Sequence, residues 1–185
     1  MKNTDDDFKE WFSDLATQYY VAARLAARAM LIPVYGNLFH HASEMYLKAA
    51  LVGTLSVAEM KRKPYSHDLT ALWQKFKAKE GNPSLDSFDP TIQELRPFES
   101  IRYPDEIVAK GMLGSIAWKP HHAVTASGSA KIPPKYEVII GDIDNLVIEV
   151  LGRIPINPKY LANKVRNAAS REALIYQNPQ EACWV

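Results

Sequence analysis

Residues 34–52 read Val34-Tyr35-Gly36-Asn37-Leu38-Phe39-His40-His41-Ala42-Ser43-Glu44-Met45-Tyr46-Leu47-Lys48-Ala49-Ala50-Leu51-Val52, and this stretch decides the fold class. Leu38, His41 or Ala42, Met45, Ala49 and Val52 recur at three- and four-residue steps, the period of a helix with one buried face. Pro33 fits the first turn, where its missing N–H costs nothing, and Gly53 is placed to end the helix. Gly36 falls inside the early helix, where glycine is unfavourable by roughly 1 kcal/mol relative to alanine. Close backbone packing is the expected compensation.

Upstream, Phe8, Phe12, Leu15, Tyr19, Ala22, Ala26 and Met30 predict one apolar stripe on a helix from about Asp6 to Met30. Asp5, Asp6 and Asp7 suit its N-terminus, and the alanine-rich run Ala22–Ala29 lets a neighbour approach closely. Downstream, Ser56 and Glu59 match a capping box for a short helix through Lys63. A third main helix starts at Ser66 or His67 and buries Leu69, Leu72, Trp73 and Phe76. Asp89-Pro90 reads as a cap and first-turn proline for a helix carrying Ile92, Leu95 and Phe98.

Periodicity then disappears over an insertion at about 105–136, rich in glycine and proline. It returns with Val138, Ile139, Ile143, Leu146, Val147, Val150 and Leu151, read as one apolar helix from Glu137 to Arg153. Pro158–Gln177 is weakly helical, and about 178–185 forms a tail. The expected architecture is all-α: a single domain over 1–185, an up-and-down bundle of four to five main helices with a long irregular insertion before the last long helix.

The chain has 185 residues, 47% hydrophobic and 23% charged, an ordinary globular balance. A formal net charge of +1 gives no whole-chain attraction to nucleic acid, though a local basic patch remains possible. One cysteine, Cys183, excludes a disulfide framework and points to a reducing, cytoplasmic setting. The acidic start is unlike a secretory signal, and Arg24 and Arg28 interrupt the apolar run Tyr19–Tyr35, so no membrane span is expected.

Three pieces, in order, resemble the HEPN family (higher eukaryote and prokaryote nucleotide-binding domains). They are Gly36–Ala49 with its His-Ala-Ser-Glu-Met-Tyr-Leu-Lys-Ala run, Ser66-His67-Asp68-Leu69-Thr70-Ala71-Leu72, and Ile101-Arg102-Tyr103-Pro104-Asp105. The resemblance covers roughly residues 8–105. It implies a bundle of four or five helices paired as a homodimer. It also implies either ribonuclease activity or a binding role, often in bacterial toxin–antitoxin or defence systems, on RNA, a nucleotide or a partner protein.

Nuclease members of that family carry an Arg followed four to six residues later by His on a late helix. Here the late helix has no histidine, and Arg171 stands where one would follow Arg166. The literal match is Arg62 with His67, early in the chain and across Pro64. It defines the alternative of a metal-independent ribonuclease, in which Arg stabilises phosphate charge and His moves the proton. Arg102, Tyr103 and Asp105 are candidate cleft residues, or an Arg–carboxylate tie at a helix end. Trp118 is a candidate partner anchor in the insertion.

His40, His41 and Glu44 invite a metal reading, but neighbouring histidines on a helix point about 100° apart. No second ligand cluster is evident, so neither metal nor cofactor is expected. They remain candidate binding residues, with His41 also readable as an interface packing residue. Lys61, Arg62 and Lys63 form a basic run, readable as a phosphate contact or a solvated helix end. The leading expectation is a HEPN-like helical binding protein in a bacterial stress, toxin–antitoxin or defence context, non-catalytic or divergent.

Overall fold

Thr4 starts the first helix: its hydroxyl accepts from the Asp7 N–H while the Asp7 carboxylate accepts from the Thr4 N–H, a reciprocal cap. A computed structural model describes residues 4–102, 105, 108–109, 113–118 and 135–185. Helix α1 spans Asp5–Arg28 and α2 spans Val34–Leu51. They form an antiparallel hairpin, joined across its length by Tyr46 donating to Thr17 (2.9 Å) and by the Tyr20 and Phe39 rings.

Short α3, Val57–Met60, carries the expected Ser56–Glu59 capping box. Helix α4, Leu69–Glu80, begins at an Asp68 cap and ends at Gly81, whose φ of 62° is left-handed. A 3₁₀ turn, Pro83–Phe88, leads to α5, Asp89–Leu95, and a second 3₁₀ segment follows over Arg96–Arg102. Strands β1, Leu113–Ala117, and β2, Lys135–Ile139, pair in parallel from Leu113↔Lys135 to Ala117↔Ile139. Then come α6, Ile140–Leu151, α7, Pro158–Lys164, and α8, Ala168–Ile175, with a last 3₁₀ turn at Glu181–Cys183.

The protein is mostly helical, as expected, and several details depart from the sequence reading. Asp89 is the first helical residue rather than a cap. Its carboxylate accepts from Trp73 Nε1 (2.6 Å) and Lys77 Nζ (2.7 Å), tying α5 to α4. Val138 and Ile139 belong to β2, and the helix starts one residue later. A run of β-branched residues serves strand and buried helix equally well, so periodicity alone does not place that boundary.

The third departure concerns α1. The stripe Phe8, Phe12, Leu15, Tyr19, Ala22, Ala26 and Met30 is not its core face; of these only Ala26 is buried. The buried face holds Ala16, Tyr20, Ala23, Arg24 and Ala27. Alanines at that face let α2 approach closely, and the polar ends of Tyr20 and Arg24 are satisfied internally.

That satisfaction comes from a buried clamp. Arg24, fully buried, donates to Asp144 of α6, to the Ala173 carbonyl (2.5 Å) and to the Tyr176 carbonyl. Tyr20 donates to the same Asp144 oxygen (2.5 Å), and Asn178 donates to Tyr20 (3.2 Å) and to the Leu174 carbonyl (2.7 Å). The Trp184 ring stacks on Tyr20 at 5.7 Å, so the segment read as a tail returns an indole to the core. One guanidinium thus joins α1, α6 and the α8 end.

Gly36 bears out the close approach. A Cβ there would lie 2.0 Å from the Phe98 ring, so only glycine lets the Arg96–Arg102 segment cross α2.

Candidate functional site

Two turns of α2 set out the polar side chains. His41 and Glu44 are three residues apart and Glu44 and Lys48 four, so their side chains meet along one edge of the helix. Glu44 is completely buried. Its Oε1 accepts from Lys48 Nζ at 2.5 Å, and its Oε2 lies 3.5 Å from His41 Nδ1. Lys48 also donates to the Ser66 carbonyl (2.8 Å) and so fixes the segment entering α4. That segment delivers His67, whose Nδ1 lies 3.5 Å from Glu44 Oε1.

Two histidines and a lysine therefore converge on one carboxylate. Burial raises the Glu44 pKa, but His41, Lys48 and His67 outweigh it and hold the group at about 2. Both imidazoles turn Nδ1 toward Glu44, which directs the opposite ring nitrogen, Nε2, away from it. His67 is half-exposed and His41 is less so, with the Tyr19 ring 5.5 Å away. Glu44 Oε2 has no hydrogen-bond partner among the described residues.

His40 does different work. Its Nδ1 lies 3.0 Å from the Leu95 carbonyl, which can only accept, so Nδ1 carries the proton. Burial lowers its pKa, so it is held neutral as a tie between α2 and the end of α5. Among the described residues no group of three metal-ligating side chains could hold an ion.

The other sequence candidates are dispersed. Arg62 is exposed, and its side chain makes no hydrogen bond or ion pair among the described residues; His67 faces Glu44 instead. Lys61 and Lys63 are exposed beside it on the segment leading to His67. Asp105 is exposed, Tyr103 lies outside the described residues, and Arg102 ends its 3₁₀ segment with no side-chain position described. Trp118 packs edge-on against Tyr176 (5.1 Å) with its ring 5.4 Å from the Arg24 guanidinium, a structural contact. Most of the insertion, His121 and His122 included, lies outside the described residues.

The meeting of His67 with Glu44 escaped the sequence reading because 23 residues separate them.

The cluster has a definite pH signature. Glu44 has a depressed folded pKa, so its contribution is present above the unfolded value of about 4.5 and lost as pH falls toward about 2. His40 is also depressed, so its contribution is present above the unfolded value of about 6.5 and falls away below it. Urea-denaturation midpoints are expected to fall in two steps on acidification. Glu44→Gln should shrink the lower step, to which Asp7, Glu10, Glu59 and Asp89 also contribute, and His40→Asn the upper; a lower step unchanged by the first or an upper step unchanged by the second would contradict these assignments.

Comparison with protein-family models, curated proteins and solved structures returned no match. Among the described residues, no helix is long and apolar enough to cross a membrane.

Proposed function

We propose that this is a HEPN-like helical protein that binds the phosphates of RNA or a nucleotide through His41 and His67, without cleaving them. The observation that carries this reading is the shared Glu44 carboxylate, which orients both imidazoles with Nε2 outward. With Nδ1 turned to the carboxylate, each imidazole presents Nε2 on its outer side, where it can meet a phosphate oxygen. The exposed Lys61–Lys63 run, just before His67 in the chain, adds a salt-dependent attraction to a polyanion. The protein acts in the cytoplasm as a homodimer within a bacterial stress, toxin–antitoxin or defence module. The ordered segments similar to HEPN proteins support that setting.

Fluorescence anisotropy with labelled single-stranded RNA tests the proposal. His41→Ala with His67→Ala together should weaken binding about tenfold, the loss of two charge-assisted contacts. Equal affinity in wild type and double variant would sink it.

The same pair of histidines favours one second reading, a metal-independent ribonuclease in which one imidazole removes a proton and the other supplies one. RNA incubated with and without chelator decides between them. Cleavage abolished by His67→Ala, with an unchanged circular-dichroism spectrum, would replace the binding role with catalysis.

A further inference from the structure

Four of the large apolar side chains that the fold leaves in solvent fall within five consecutive residues, at the turn between α1 and α2. Met30 is 60% exposed, Leu31 51%, Ile32 36% and Val34 49%, and Pro33 completes the run. Single exposed apolar residues are ordinary, but a contiguous group marks a contact surface. The backbone is strained to present it: Met30 takes φ 54°, a left-handed conformation disfavoured for a residue with a β-carbon.

The chemistry of the turn selects the occupant. From Ala29 to Asn37 every backbone N–H except that of Val34 donates to a carbonyl of the hairpin itself, and Pro33 has none to donate. Such a segment leaves water at little hydrogen-bonding cost, which is the condition for entering lipid. Charge points the same way. From Leu15 to Ser43 the hairpin contains no acidic residue, and its only charged side chains besides histidine are Arg24, buried, and Arg28, exposed three residues before Leu31. Arg28 meets one carboxylate among the described residues, Glu172 at 2.9 Å, and lies 4.7 Å from the half-exposed Tyr176 ring. Arg96, exposed and without an ion pair among the described residues, begins the segment that crosses α2 at Gly36. Area disfavours a protein partner. Four side chains fall well short of the roughly 20–30 residues that a stable protein interface uses on each side, whereas a bilayer accepts a small apolar wedge.

We propose that this turn is a lipid anchor: Met30, Leu31, Ile32 and Val34 enter the headgroup–acyl boundary of an anionic phospholipid bilayer, with Arg28, Arg96 and Tyr176 at headgroup level. The chain then lies on the bilayer without crossing it, and a single wedge of this size gives weak, reversible binding. The anchor is independent of the phosphate site at His41 and His67.

Flotation of the full chain with phosphatidylcholine vesicles containing roughly one-third phosphatidylserine tests it. Wild type should rise with these vesicles, and less with phosphatidylcholine alone. Leu31→Glu should lower the bound fraction about tenfold, because it sets a carboxylate against apolar lipid and an anionic surface. Trp11→Glu, at an exposed site near the other end of α1, should float as wild type does. A polarity-sensitive fluorophore on Leu31→Cys, in a Cys183→Ser background, should shift to the blue on adding vesicles. RNA anisotropy of Leu31→Glu should match wild type, which reads the two sites separately. Wild type left in the dense fraction, or Leu31→Glu that floats equally well, overturns the anchor. Flotation lost in His41→Ala with His67→Ala but kept in Leu31→Glu overturns it too, and assigns vesicle binding to the phosphate site. A wild type that ignores vesicles but self-associates in sedimentation, in a manner that Leu31→Glu abolishes, overturns it in favour of a protein contact.

Discussion

Arg24→Met is expected to destabilise the protein by about 3–5 kcal/mol, the cost of leaving one partner of a buried ion pair alone. Asp144 would remain in the interior with its carboxylate facing Tyr20 only, while the Ala173 and Tyr176 carbonyls would lose their donor. Burial already pushes the Asp144 pKa upward against the pull of Arg24, so removing the guanidinium favours protonation of that carboxyl. Replacing both partners, Arg24→Met with Asp144→Leu, should cost clearly less than the sum of the single changes, because no unpaired charge remains. Urea denaturation of the four proteins measures this. Single variants each within about 1 kcal/mol of wild type would show that the clamp contributes no more than a surface pair.

The second large effect is expected at Gly36. Alanine would gain about 1 kcal/mol in helix propensity. It would also place its Cβ 2.0 Å from Phe98 Cε1 and 2.1 Å from Cδ1. The Phe98 ring is fully buried, with the Tyr35 and Tyr136 rings at 6.2 and 5.6 Å, so it has little room to retreat. Overpacking of this kind costs about 1–3 kcal/mol and sometimes more, and the severity of the overlap sets the expected net loss at about 3 kcal/mol. Phe98→Leu, costly alone, should relieve the clash, so Gly36→Ala should be much less harmful in that background. Equal losses in both backgrounds would show that the backbone shifts instead.

These two sites also measure what the sequence discloses. Gly36 was legible, because a glycine in a helical pattern asks for a close neighbour, though nothing in the chain identifies Phe98 as that neighbour. The helices were legible from caps and periodicity, with Ser56–Glu59 working as local chemistry dictates. The face of α1 was not. Arg24 and Tyr20 look like surface residues until their partners are known, so hydropathy points the more apolar stripe at the core in place of the face that is buried. The same holds for the candidate site. His41, Glu44 and Lys48 share a helix edge that residue spacing reveals, whereas His67 arrives by a tertiary contact held by Lys48 on the Ser66 carbonyl.

The central claim is that His41 and His67, oriented by Glu44, receive phosphate. Its most direct measurement is the NMR titration of isotope-labelled histidine ring signals with single-stranded RNA. The His41 and His67 signals should shift together, with one half-saturation concentration, and His40, bound to the Leu95 carbonyl in the interior, should stay in place. RNA binding that leaves the His41 and His67 signals unmoved, or no binding by the folded protein, would contradict the claim.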